Sequence, residues 1–206
     1  MSANVKSVTM IDMVHHRSSN LLWNTLFIGV FGTLMMVFAR ITILLPFTPV
    51  PITGQTFGVL ITGVLLGRKR AALAMLLYLA EGIVGLPVFA GGLSAWSPSS
   101  VGLPVIIGPT AGYLFSYPLA AYVIGFFAER SWDRSFWKVL IPLVIGEGII
   151  YVIGVTWLAL YVGFPLALPL GFLPFIPGDI IKLLLVALVL PSGWRGIEVL
   201  KNSWRR

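Results

Sequence analysis

The 206-residue chain contains no cysteine, which excludes disulfides and thiolate metal sites and leaves the redox compartment unreadable. Histidine is almost as scarce. His15 and His16, both in the polar N-terminal stretch, are the only two, so an intramembrane Ser/His dyad and a His-rich metal site are ruled out. Charged residues make up 10% of the chain, against about 25% in soluble domains. Residues 63–69 miss the G-x-x-x-x-G-K-S/T pattern, so the chain has no nucleotide-binding phosphate loop, and any ATP must be bound by another subunit. Residues 1–20 are polar with no apolar core, which predicts no cleavable signal peptide.

What fills the space is apolar. Hydrophobic residues reach 58% and mean hydropathy is +0.97. The length suits about six spans of roughly 20 residues each. The expected fold class is therefore an all-α membrane protein of six transmembrane helices with irregular, Pro/Gly-rich extracytoplasmic loops. One membrane domain is expected over residues 20–191. A cytoplasmic N-terminal segment, 1–19, precedes it, and a basic cytoplasmic tail, 192–206, follows.

The basic residues orient these spans. Lys6 and Arg17 precede the first apolar run, and Arg68, Lys69 and Arg70 follow the second. Arg130, Arg134 and Lys138 follow the fourth, and Arg195, Lys201, Arg205 and Arg206 follow the sixth. Twelve of the fourteen basic residues thus occupy every second connection, while residues 87–108 and 161–177 hold none. This positive-inside pattern places both termini in the cytoplasm. The net charge of +7 does not signal a nucleic-acid partner, because nothing gathers these residues on one soluble face.

The expected spans are 20–44, 51–66, 71–86, 107–128, 138–161 and 174–190, with lipid as their surroundings. Their irregularities fall mostly on the outer side. Pro46, Pro49 and Pro51 forbid a regular helix between the first two spans. Gly85-Leu86-Pro87-Val88 and Gly102-Leu103-Pro104-Val105 repeat a turn signal around Ala90-Gly91-Gly92, and Pro169, Pro174 and Pro177 interrupt the approach to the last span. Non-helical backbone at membrane depth persists only when buried in protein or lining a cavity. The last span's helical part, 180–190, is expected to be about 17 Å long, short of a ~30 Å hydrocarbon core. The outer half is therefore expected to fold as loops over a pocket. Two stripes of small residues, Gly54/Gly58/Thr62 or Gly63/Gly67 and Thr25/Gly29/Thr33, suit close helix packing, and the second suits a partner contact nearly as well.

Five ionisable residues lie in or near the apolar spans: Arg40, Glu81, Glu147, Asp179 and Lys182. Such groups are expensive at membrane depth and face bundle interiors or cavities. Asp179 and Lys182, three apart, project from one helix face. After Pro177-Gly178, Asp179 can serve as an N-cap as well as a ligand contact. Lys182 has no such excuse, since a cation in a helix's first turn opposes the dipole. Glu147 lies nine residues beyond Lys138, with Tyr151 one turn further on the same face, and its role can be structural or functional. Glu81 shares a face with Tyr78 and can reach the same cavity. Arg40, near the outer end of its span, can snorkel.

Four runs carry a family resemblance: Pro46-Phe47-Thr48-Pro49-Val50-Pro51-Ile52-Thr53-Gly54-Gln55-Thr56, Gly85-Leu86-Pro87-Val88-Phe89-Ala90-Gly91-Gly92, Gly108-Pro109-Thr110-Ala111-Gly112-Tyr113 and Pro177-Gly178-Asp179-Ile180-Ile181-Lys182. In this order and spacing, over about residues 26–190, the chain resembles the BioY family, the biotin-binding S-components of energy-coupling-factor (ECF) transporters. The resemblance implies a six-helix membrane fold and capture of biotin from outside, in the inner or plasma membrane of a prokaryotic cell. It also implies a transmembrane coupling subunit and two ATPase subunits as partners, with ATP used by those partners alone and no cofactor in this chain. Asp179 and Lys182 match the acid and lysine that contact the vitamin. The runs holding Gln55, Phe89, Thr110 and Tyr113 match its other walls. A carboxylate can accept from the ureido N–H groups of biotin while an ammonium donates to its carbonyl, and Phe89, Tyr113 and Trp157 are candidate apolar walls. An intramembrane acid–base enzyme using Glu81 or Glu147, a transporter subunit for another small vitamin and a lipid-embedded scaffold subunit are the competing readings.

Overall fold

Long apolar runs become the longest helices. The computed structural model describes residues 9–14 and 21–203, with side chains described over 9–12 and 21–195. Expectations falling on Lys6, His15, His16, Arg17, Arg205 and Arg206 lie outside the described residues. Four helices among those described are long and apolar enough to cross a membrane. They are α2 (Leu21–Arg40), α5 (Ala111–Ala128), α6 (Phe136–Val162) and α8 (Ile176–Ser203, apolar as far as Arg195). The others are α1 (Met10–Val14), α3 (Gln55–Leu66), α4 (Arg68–Ile83) and α7 (Phe164–Gly171). A two-stranded antiparallel ribbon, β1 (Thr42–Ile43) with β2 (Ile52–Thr53), joins α2 to α3.

Large apolar side chains face outward, among them Val30 and Val37 on α2, Val152 and Leu160 on α6, and Leu188 and Val189 on α8. In water such surfaces would be an aggregation hazard; in lipid they are the solvent-facing side. The inward faces carry smaller residues, which let backbones approach. A Cβ on Gly58 would collide with Met35 and Phe38 of α2, and one on Gly63 with Ile124 of α5. The Gly54-to-Gly67 stripe is therefore internal packing. By contrast, Gly29 has nothing within 4 Å of where its Cβ would lie, and Thr25 and Thr33 beside it are exposed.

One end of the bundle gathers the basic residues. Gly67, with φ +77°, turns α3 directly into α4 in a left-handed conformation that favours glycine. Arg68, Lys69 and Arg70 accordingly stand in the first turn of α4 rather than in a loop. Glu129, just past α5, accepts from the Arg68 amide at 3.0 Å and pairs with its guanidinium at 3.2 Å. Arg70 reaches Asp12 of α1 at 2.9 Å, and the Trp194 indole donates to buried Asp133 at 2.6 Å. At the opposite end lie the ribbon, α7 and the segment 84–110, whose backbone turns through two 3-10 segments, Ala90–Gly92 and Val105–Ile107.

Several expected boundaries are corrected. The first span ends at Arg40, where the backbone enters the ribbon. The third begins at Arg68 and ends at Ile83, and the fourth begins at Ala111. The fifth is longer than read, 27 residues or about 40 Å. The expected loop 161–177 contains α7, with Pro165 in its first turn, where a missing N–H does no harm. The largest correction concerns the last helix. It is not an 11-residue segment but runs for 28 residues through Pro191, so the boundary read between residues 191 and 192 falls inside it.

Candidate functional site

Helix α8 opens with Ile176-Pro177-Gly178-Asp179, and Pro177 is tolerated because N–H groups of a first turn have no intrahelical partner. The Asp179 amide already bonds the Phe175 carbonyl at 3.0 Å, so Asp179 is not the N-cap. Asp179 is 5% exposed, and its carboxylate serves the interior. Lys182 donates to Asp179 Oδ1 at 2.8 Å and to Thr56 Oγ1, on the first turn of α3, at 2.9 Å. The Tyr151 hydroxyl of α6 donates to Asp179 Oδ2. Three helices thus converge on one ion pair, which offsets the unfavourable placing of a cation near a helix N-terminus.

This cluster lines a cavity of about 410 Å³, within the range usual for small-molecule sites. Seven of the residues read from the sequence lie on its wall: Gln55, Phe89, Thr110, Tyr113, Tyr151, Asp179 and Lys182. The Gln55 amide donates to the Tyr78 hydroxyl at 2.6 Å and accepts from Thr53 at 3.0 Å, while Tyr78 donates to the Val88 carbonyl at 3.0 Å. The Phe89 ring stands edge-on to Tyr78 with centroids 5.3 Å apart, against Gly82, where no side chain would fit. Tyr113 donates to the Gly171 carbonyl at 2.8 Å and meets Tyr151 edge-on. Thr48 donates to the neighbouring carbonyl, Leu170, at 2.7 Å, so the loop between β1 and β2 is tied to the same helix end.

The other ionisable and aromatic residues singled out in the sequence stand off the wall. Glu81 is off the cavity wall, because the inner side of α4 at that level is occupied by Tyr78 and by Phe89 seated on Gly82. Glu147 is also off the wall; it lies one turn below Tyr151, 5% exposed, with neither carboxylate oxygen hydrogen-bonded. Trp157 donates to the Gly108 carbonyl at 3.0 Å and braces the segment before α5 instead of lining the cavity. Arg40, exposed at the end of α2, donates to the Pro87 carbonyl at 2.9 Å and holds the 84–92 turn.

Sequence reading missed Thr56, Tyr117 and Leu114 on the wall. Thr56 was within reach, since it follows Gln55 in a motif already singled out. Tyr117 was legible only as one turn beyond Tyr113. Among the described residues, no three Asp, Glu, His or Cys side chains converge as a metal site would require.

The profile described as the BioY family matches residues 9–199. The biotin transporter BioY of Thermotoga maritima is 43% identical over 162 residues, covering 78% of this chain and 89% of that protein. The biotin transporter BioY of Rhizobium etli is 38% identical over 156 residues, covering 70% and 78%. A solved structure of the S-component for biotin from an ECF-type ABC transporter superposes with a TM-score of 0.73 at 26% identity, covering 85% of this chain and 92% of that one.

Proposed function

The chain belongs to the BioY family, and from that premise we propose that it takes up biotin as the substrate-capturing S-component of an ECF-type transporter. The observation that carries this reading is the hydrogen-bonding capacity left at the Asp179–Lys182 pair. An ammonium has three donors, and Lys182 uses two of them on Asp179 and Thr56. One N–H remains. Ionised Asp179 offers about four lone-pair sites, and Lys182 and Tyr151 occupy two. A ureido group supplies the complement: two N–H donors for the carboxylate and a carbonyl for the ammonium. Gln55 and Thr110 border the same space, and Phe89 and Tyr113 offer apolar walls to the sulfur ring and aliphatic chain. Glu81 and Glu147 make no direct contact in this arrangement.

The charge map supports six crossings, by α2, α3, α4, α5, α6 and α8, in the inner or plasma membrane of a prokaryotic cell. The end bearing Lys69, Arg130 and Lys138 faces the cytoplasm with both termini, and the cavity faces outward. Helices α3 and α4, 12 and 16 residues long, cover roughly 18 and 24 Å, so the outer segments complete their crossings. Energy comes from a transmembrane coupling subunit and two ATPase subunits, since this chain has no phosphate loop. The chain acts without a cofactor and leaves biotin chemically unchanged.

Calorimetry on purified, ligand-stripped protein tests this. Saturable binding of biotin is expected, with the ligand recovered intact by mass spectrometry. No binding at micromolar biotin would sink the reading, and a covalently altered product would favour an enzyme.

A further inference from the structure

Glu147 is the one described carboxylate with both oxygens buried and without a hydrogen-bond partner. It sits 11 residues into α6, or roughly 17 Å along the helix, between buried Leu143 and Ile150. The charged and titratable groups facing it come from two neighbouring helices and its own. Helix α8 presents Asp179 and Lys182, both in electrostatic reach. Helix α5 presents Tyr117 and α6 itself presents Tyr151, with Tyr113 of α5 next to both. Helices α3 and α7 contribute no titratable side chain. The region therefore holds two carboxyl groups and one cation, and that cation is already engaged by Asp179 and Thr56. With all three ionised, one negative charge would stand unpaired in a buried site, an arrangement that proteins avoid.

We infer that Glu147 is a proton-binding site whose occupancy is linked to that of the ligand cavity. The inference rests on the biotin reading of the Asp179–Lys182 pair. The sign of the linkage follows from two effects that act together. A ligand displaces water from the cavity and with it the screening of any surplus charge nearby. Biotin also brings its own carboxylate. Both disfavour ionised Glu147 in the occupied protein, so a proton is taken from solvent onto a Glu147 oxygen as the ligand binds. By reciprocity, protonated Glu147 favours ligand binding. The Asp179 carboxyl is already engaged by Lys182 and Tyr151, which leaves Glu147 as the unpartnered carboxyl of the region.

The test is calorimetric titration of the full-length protein with biotin from neutral to alkaline pH, in buffers of different protonation enthalpy. Wild type is expected to take up as much as one proton per biotin and to lose affinity as pH rises, by at most about tenfold per pH unit for one linked proton. Glu147→Gln and Glu147→Met are each expected to show neither proton uptake nor pH dependence over that range. Wild-type binding that is independent of pH and buffer overturns the inference while leaving the transport reading intact. A pH dependence shared by wild type and either variant overturns it equally. If neither variant folds, the wild-type proton count decides. Absence of biotin binding at every pH would instead defeat the transport reading.

Discussion

The side-chain amide of Gln55 donates to the hydroxyl of Tyr78 over 2.6 Å, and that phenol, with no exposed surface, passes its own hydrogen to the carbonyl of Val88. A cavity residue on α3 is thereby oriented by a residue of α4 that is off the wall itself. Tyr78→Phe keeps the ring and its contact with Phe89 but leaves an amide hydrogen and a carbonyl without partners. A loss of about 1–3 kcal/mol is expected, read as a lower melting temperature in detergent, together with weaker biotin binding as Gln55 loses its orientation.

Asp179 and Lys182 act as one unit. Asp179→Asn and Lys182→Met should each weaken biotin binding by about 1–3 kcal/mol, as expected when a buried polar partner is orphaned. The double variant should fall short of the sum, because the second change removes a group the first already stranded. Calorimetry on all four proteins measures the coupling.

Close approach of α5 to α6 depends on Gly154. A Cβ there would enter the Tyr113 ring, and moving that ring breaks its bond to Gly171. Gly154→Ala is expected to destabilise by about 1–3 kcal/mol. Gly148, on the same helix with nothing near, is the control. Gly148→Ala should be neutral or stabilising by up to about 1 kcal/mol. Thermal unfolding of the two variants side by side separates packing from helix propensity.

At the basic end, burial pushes the Asp12 carboxyl up, but hydrogen bonds from Arg70 and Thr9 and the Arg70 charge outweigh it and hold it below its ordinary value. Its folded-state pKa is thus the lower one. The stabilisation is present above the unfolded value of about 3.9 and disappears as pH falls through the folded one. Helix α1 should loosen below about pH 4, and Asp12→Asn should loosen it at neutral pH. Hydrogen exchange over residues 9–14 reports both.

Sidedness is open to direct labelling because the chain has no cysteine of its own. Lys69 and Val101 are both exposed, at opposite ends of the bundle. Val101→Cys should react with an impermeant maleimide in intact cells, and Lys69→Cys only after permeabilisation. The reverse pattern would invert the topology.

The cores of α5 and α6 were legible because their apolar runs are long and the prolines within them, Pro118 and Pro142, stand alone with no glycine or second proline beside them. The ends of α8 were not. Pro177 and Gly178 read as breakers, yet proline in a first turn loses no hydrogen bond, and Pro191 lies within a helix that continues past it. The site was legible where a residue faces the cavity by helix periodicity from a motif, as with Asp179, Lys182 and Tyr113. It was not where a tertiary neighbour decides. Phe89 against Gly82 turns Glu81 away from the cavity, and the bond from Trp157 to Gly108 draws the indole off the wall. Neither contact leaves a mark in local sequence.

The last carbonyls of α7 are claimed by Thr48 from the loop between β1 and β2 and by Tyr113 from α5, 2.7 and 2.8 Å away. A helix terminus in water could surrender such partners cheaply, since solvent would replace them. Here the exposed neighbours are Leu166, Leu168 and Leu173, whose side chains offer no hydrogen bond in replacement. The two bonds therefore share one anchor point, so the loop between β1 and β2 and the start of α5 are both fixed to the end of α7, and neither can shift without stranding a carbonyl among leucines.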